Sequence, residues 1–180
     1  MKATQAKKLR EKAYDFLKKA HIVISPQEKE NIEIADFGLN DIKNVGIEVV
    51  VYVNNDRYCA KELIMFPRQM CPQHRHPAID NKNIGKQETF RCRWGEAYLY
   101  VDGEPTPHPK AKVPAKYKKY LTVWKEIVLR PGDQYTLPPN SWHWFQAGDK
   151  GAIISEFSST SIDESDVWTD PHIDRIPKYE

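Results

Sequence analysis

Three histidines and one glutamate stand at spacings that could bring them to a single point. His74 and His76 are two residues apart, and alternate side chains of a strand share a face, so both imidazoles can approach one ion. Glu88 follows after a loop, within the strand-like run 87–93. His143 comes later, behind the turn Pro138-Pro139-Asn140. Taken singly, each histidine reads as a hydrogen-bonded core or surface residue. Together, three neutral imidazole nitrogens and one carboxylate suit one borderline divalent ion such as Mn, Fe, Co, Ni or Zn better than Ca or Mg. Four protein ligands on a six-coordinate ion leave two adjacent open positions, the arrangement of a reactive centre rather than a closed structural one.

Two open positions suit a substrate that chelates through neighbouring oxygens, as the carbonyl and hydroxyl of a sugar do. Its carbonyl would be polarised and the adjoining C–H made acidic, so a nearby carboxylate could carry a proton between C1 and C2 through an enediol. Glu156, in the apolar run Ala152 to Ser158, is the candidate base. It faces inward if Ile154 does, and is a surface glutamate otherwise. Lys86, two residues before Glu88, could stabilise an enediolate, and Lys61 is a second candidate. Either lysine reads equally as a solvated strand-end residue. Trp142, Trp144, Phe145 and Phe90 could wall a sugar pocket, though core packing is the more ordinary role for barrel aromatics. His21, His108 and His172 lie outside these motifs and are assigned to the surface.

Positioning such a set calls for strands. From residue 46 onward, short segments rich in Val, Ile, Tyr, Phe and Trp alternate with turn clusters such as Asn54-Asn55-Asp56, Trp94-Gly95 and Gly148-Asp149-Lys150-Gly151, as in an all-β sandwich or barrel. Strands are expected at 47–53, 58–66, 87–93, 96–101, 121–129, 134–137, 142–147 and 152–158, with 104–118, which holds four prolines, as a loop. Ahead of them, Leu9, Ala13, Phe16, Leu17 and Ala20 predict an amphipathic helix over 3–20. Ser25-Pro26-Gln27-Glu28 carries the signature of a capped second helix. The 180 residues fit one domain, divided into a helical flap (1–45), a β-barrel (46–160) and a C-terminal strap (161–180).

His-x-His with a following Glu88 and Gly95, and Gly132-x5-Pro138-x-Asn140-x2-His143, resemble the two motifs of the cupin superfamily, which implies an all-β, jelly-roll β-barrel behind the short N-terminal helices. The gap from His76 to Glu88 is longer than the motif's, and 77–85 is read as a loop inserted at the barrel mouth. More closely, the segments 51–59, 71–77, 85–93, 138–146 and 156–161 resemble the D-lyxose ketol-isomerases, and the likeness runs from about residue 22 to 171. That resemblance implies an aldose–ketose isomerase interconverting D-lyxose and D-xylulose, and D-mannose and D-fructose, with manganese as the preferred ion and a homodimeric assembly. It implies His74, His76, Glu88 and His143 as metal ligands, Glu156 as the proton-transfer base, and Lys61, Lys86 and Asp163 as substrate contacts.

The charge balance, 27 basic against 25 acidic residues for a net +2, gives no field that would draw the chain to nucleic acid or a membrane surface. Three cysteines without a C-x-x-C pair, Cys59, Cys71 and Cys92, suit small buried residues in a reducing cytosol. No secretory or transit signal is recognisable, so a soluble cytoplasmic protein acting on a free sugar is expected. Two alternatives share the metal: an Fe(II) cupin dioxygenase, and a non-enzymatic sugar-binding cupin, which would have no need of an inward Glu156.

Overall fold

The computed structural model describes residues 1–81 and 83–179. Lys82, in the loop read as inserted, and Glu180, the last residue of the expected strap, lie outside the described residues. The helix α1 spans Ala3–Lys19 and buries Ala6, Ala13, Phe16 and Leu17. Its N-cap, Lys2, makes no side-chain capping bond, so packing holds it. Phe16 meets Phe66 and Trp94 edge to face at 5.3 and 5.4 Å, and burial of an aromatic or leucine side chain contributes about 1.5–3 kcal/mol. The second helix, α2 (Pro26–Glu30), carries the expected capping box, with Ser25 Oγ accepting from Glu28 N and Glu28 Oε2 from Ser25 N.

Nine strands form one curled sheet among the described residues: β1 (Glu33–Ala35), β2 (Ile47–Asn54), β3 (Cys59–Met65), β4 (Met70–Arg75), β5 (Glu88–Val101), β6 (Lys125–Leu129), β7 (Gln134–Leu137), β8 (His143–Ser158) and β9 (Val167–Trp168). The order β1-β2-β3-β8-β4-β9 has β5 paired along β8, and β6 and β7 paired along β5, all antiparallel. This is the cupin-type barrel expected from the sequence. Its interior is filled by side chains such as Leu63, Met65, Phe90, Cys92, Leu99 and Phe145. A second apolar cluster, with Ile34, Val50, Ile64 and Ile153, packs under α1 on the other face of the sheet.

Two of the departures from the expected strands have a clear physical cause. The pairs 87–93 with 96–101 and 142–147 with 152–158 are each one continuous strand, β5 and β8, because their glycines make bulges instead of turns. Gly95 (φ +72°) sits so close to Gly151 (φ +94°) that a Cβ on Gly95 would lie 2.1 Å from the Gly151 carbonyl oxygen, and the register shifts on either side of it. The segment 70–75 was not among the expected strands, since Pro72 interrupts the ladder between Cys71 and His74. Finally, the expected strand 121–129 begins only at Lys125, and the loop 104–118 ends in a short helix, α3 (Ala115–Lys118). A strand, β1, also lies within the stretch read as a helical flap. All three cysteines are buried.

Candidate metal centre and active site

The barrel strands deliver the four expected ligands to one place. His74 and His143 are direct cross-strand partners on β4 and β8, with ring centroids 4.2 Å apart. His76 lies one residue beyond β4, and Glu88 opens β5. All four are buried. Each imidazole has its Nδ1 engaged on the outside: His74 with Pro72 O at 2.8 Å, His143 with Ser141 O at 3.0 Å, and His76 with Asp166 Oδ1 at 2.5 Å. That leaves the three Nε2 atoms for a shared target, and the ligand atoms of the three histidines can be chosen within 4.8 Å of one another. Glu88 Oε2 lies 3.2 Å from His76 Nε2 and 3.3 Å from His143 Nε2, yet these three atoms are buried with no hydrogen-bond partner. A buried polar group left so costs about 1–3 kcal/mol. One cation among them would satisfy all three, so the donor set fits a divalent ion.

The electrostatics agree with a cation-binding site. Burial, reinforced by His143 and His76, holds His74 well below the usual imidazole range, and burial likewise lowers His143, so both present neutral nitrogens. Burial also pulls on His76, but Glu88 on one side and Asp166 on the other outweigh it and raise it to about 9. Burial would raise Glu88, but Lys86, His76 and His143 hold it well below the usual carboxylate range.

Beyond the ligands, a small cavity is lined by Lys61, Lys86, Glu156, Asp163, Phe90 and Phe145 among others. Glu156 is inward and buried, and pairs across the ladder with Lys61 on β3 and Phe90 on β5. Lys86 Nζ bridges two carboxylates, at 2.7 Å from Glu88 Oε1 and 2.9 Å from Glu156 Oε1. Burial opposes the ammonium, but Glu156 and Glu88 prevail and raise it above its ordinary value. Lys61 Nζ donates to Ser161 Oγ at 2.9 Å and lies 3.6 Å from Asp163 Oδ1. Neither lysine is the solvated strand-end residue of the alternative reading. Asp163 is already held, by Ser161 Oγ at 2.8 Å and by Arg175 Nη2 at 2.5 Å.

The aromatic candidates divide. Phe90 and Phe145 line the cavity, whereas Trp144 is core, stacked on Tyr100 at 4.0 Å. Trp142 is partly exposed, with the Arg75 guanidinium over its ring. His21, His108 and His172 are exposed. Sequence reasoning missed Asp166, Trp168 and Arg175, all on the cavity wall. Trp168 stacks on the His74 ring at 4.6 Å with an interplanar angle of 21°. Nothing local in the sequence marks these residues, because their partners are far away along the chain.

A family model described as D-lyxose isomerase matches residues 26–180. The chain belongs to the D-lyxose isomerase family. It is 65% identical over 172 residues to a D-lyxose ketol-isomerase of Thermofilum sp. (strain ex4484_79), covering 96% of this chain and 95% of that one. It is 60% identical over 180 residues to a D-lyxose/D-mannose isomerase of Thermosediminibacter oceani, covering 100% and 99%. Among solved structures, L-ribose isomerase of Cellulomonas parahominis superposes with a TM-score of 0.79 at 13% identity, over 96% of this chain and 94% of that one. At that identity the likeness speaks for the fold alone. The expected family, fold and enzyme class stand, and a buried histidine group able to hold a metal is in place. No helix of the described residues is long and apolar enough to cross a membrane.

Proposed function

We propose that this isomerase interconverts D-lyxose and D-xylulose, and D-mannose and D-fructose, as free sugars. One observation carries the reading: Glu156 and Lys86 meet at 2.9 Å on the wall of the same cavity that His74, His76 and Glu88 line. His74, His76, Glu88 and His143 would hold the ion, manganese by preference, with cobalt, nickel, iron or zinc as substitutes. That ion supplies electrophilic polarisation of the sugar carbonyl and its neighbouring hydroxyl.

The chain's own residues do the rest. Glu156 takes the proton from one carbon of the C1–C2 pair and returns it to the other. The Lys86 ammonium, fixed between Glu156 and Glu88, counters negative charge developing on the enediolate. Lys61 and Asp163, braced by Ser161 and Arg175, offer a cation and a carboxylate to hydroxyls farther along the sugar. An inward carboxylate favours this over a sugar-binding cupin, which has no use for a base, and the isomerase relatives favour it over an oxygenase. A cytoplasmic homodimer completes the proposal. Val51, Tyr52, Tyr58 and Phe157 are exposed apolar or aromatic side chains near the ends of β2, β3 and β8, available to a second copy.

The test is incubation of the manganese-loaded protein with D-lyxose in deuterated water. D-xylulose should form, with solvent deuterium entering at the exchanging carbon. Glu156→Gln should keep the ion yet lose roughly 10²–10⁴-fold in rate, the usual contribution of a general base. Full turnover by that variant would reassign the base, and no D-xylulose from the parent protein would end the proposal.

A further inference from the structure

The C-terminal stretch was expected to be a strap, but its middle reaches the metal centre. Asp166 Oδ1 accepts from His76 Nδ1, the two being separated by 90 positions in the chain. The adjoining strand β9 pairs with the segment that carries the ligands: Trp168 lies opposite His74 and Val167 opposite Arg75. Thr169 N donates to Gln73 O at 3.2 Å, the Trp168 ring covers His74, and Asp166 is itself nearly buried.

Farther along, the strap is fastened to different parts of the molecule. Asp174 N donates to Phe37 O at 3.0 Å, Ile34 N donates to Tyr179 Oη at 2.9 Å, and the terminal ammonium of Met1 donates to Lys178 O at 2.9 Å. The strap therefore has two independent fastenings, one on the metal ligands and one on the N-terminal region.

We propose that Asp166 is a positioning residue for the ligand His76, and that through it and β9 the docking of residues 163–169 is coupled to occupancy of the metal centre. This rests on the metal reading given above. A neutral imidazole offers only one nitrogen as an acceptor to an ion, and a carboxylate receiving the Nδ1 proton selects the tautomer with a free Nε2, fixes the ring plane and raises the ligand's basicity. In the same way β9 and Trp168 hold β4 and the His74 ring in place. Coupling between two sites is reciprocal. If the docked strap strengthens ion binding, the bound ion must hold the strap down by the same factor.

The experiment uses the full-length protein with manganese added or withdrawn by a chelator, and reads affinity and amide exchange rather than turnover. Asp166→Ala should bind manganese about 10–100-fold more weakly, the usual loss for an outer partner of a ligand histidine. Asp166→Glu should recover much of that, which a merely structural residue would not produce. Asp166→Asn, which keeps the shape and an acceptor but loses the charge, should fall between them, and it serves if the alanine variant folds poorly. In the parent protein, withdrawal of manganese should speed exchange at Val167–Thr169 and leave the amide of Asp174 unchanged. Affinities of the alanine and asparagine variants equal to the parent's, or exchange at Val167–Thr169 indifferent to manganese, would overturn the coupling while leaving the metal centre standing. A parent protein that binds no manganese, cobalt or zinc would overturn both.

Discussion

Replacing Glu48 by glutamine should make the protein more stable in alkaline solution and leave it little changed in mild acid. Its neighbours Ile47 and Val49 line the metal cavity, so the Glu48 side chain points the opposite way, into the layer beneath α1. There its cross-strand partner Ile64 packs with Phe16 and Leu17. Glu48 is fully buried; Oε1 accepts from Gln69 Nε2 at 3.2 Å and Oε2 has no partner. Burial drives its carboxyl from 4.5 up to about 8, with Gln69 and Lys12 opposing only part of the effect. The folded value lies above the unfolded one, so the fold favours the protonated acid. The stabilisation is complete below about pH 4.5 and is lost as the pH climbs through about 8. Each tenfold change corresponds to about 1.4 kcal/mol, so the whole span is worth about 5 kcal/mol, of which about 3 kcal/mol falls between pH ~5.5 and pH ~8.5.

A glutamine of the same shape cannot ionise and should not show that loss. Denaturant unfolding of parent and variant across this range should give curves whose separation widens by about 3 kcal/mol from the acid end to the alkaline end, or about 6–12 °C in Tm for a chain of this size. Other groups titrate equally in both proteins and cancel in the difference. Parallel curves, or a gap that opens toward acid, would refute the reasoning.

Lys86→Met leaves Glu88 and Glu156 facing each other without the ammonium between them. Removing one partner of such a buried set costs about 3–5 kcal/mol, visible by calorimetry, and the rate should fall by about 10²-fold or more; a stable, active variant would contradict the bridge. Stripping the ion should abolish isomerisation and adding manganese back should restore it. As the pH falls, protons compete for the imidazoles and Glu88, so bound manganese, followed by elemental analysis, should be released in acid. Retention unchanged down to about pH 4 would count against these ligands. Trp144→Ala removes a fully buried ring stacked on Tyr100, whose Nε1 donates to Val123 O at 2.7 Å. It should cost about 3–5 kcal/mol with KM little altered, whereas a change in KM alone would return Trp144 to the pocket wall.

What could be read from sequence was what the chain encodes locally. The capping box at Ser25 and Glu28 and the helical spacing of Ala13, Phe16 and Leu17 lie within a few residues of one another, and both helices are where they were expected. The meeting of His74, His76, Glu88 and His143 was legible because period-two alternation places His74 beside His76, and because turns fix the entry of Glu88 and His143 to their strands. Gly95 and Gly151 misled the strand boundaries for a related reason. A glycine at positive φ signals a turn or a bulge alike, and only the partner strand decides which. Glu156 could not be oriented from its own strand, since inward and outward readings differ by one residue of register. The structure settles its direction through its pairing with Phe90 and Lys61. Asp166, Trp168 and Arg175 were invisible because their partners His76, His74 and Glu33 lie far along the chain, and no periodicity reports such contacts.

The charges around the cavity explain why these distant residues belong together. Glu88, Glu156, Asp163 and Asp166 bring four carboxylates to the cavity wall, and Lys61, Lys86 and Arg175 bring three cations, joined by ion pairs or by the shared lysine and histidine contacts. That leaves one more carboxylate than there are cations in a largely buried space, where uncompensated charge is costly. The upward push on His76 answers the excess with a proton, and a cation among His74, His76, Glu88 and His143 would answer it in the same way. Balance of this kind also suits the chemistry proposed for Glu156. Its carboxylate is held by the Lys86 ammonium, so gaining and returning one proton would change the local charge by a single step while the ammonium stays in place.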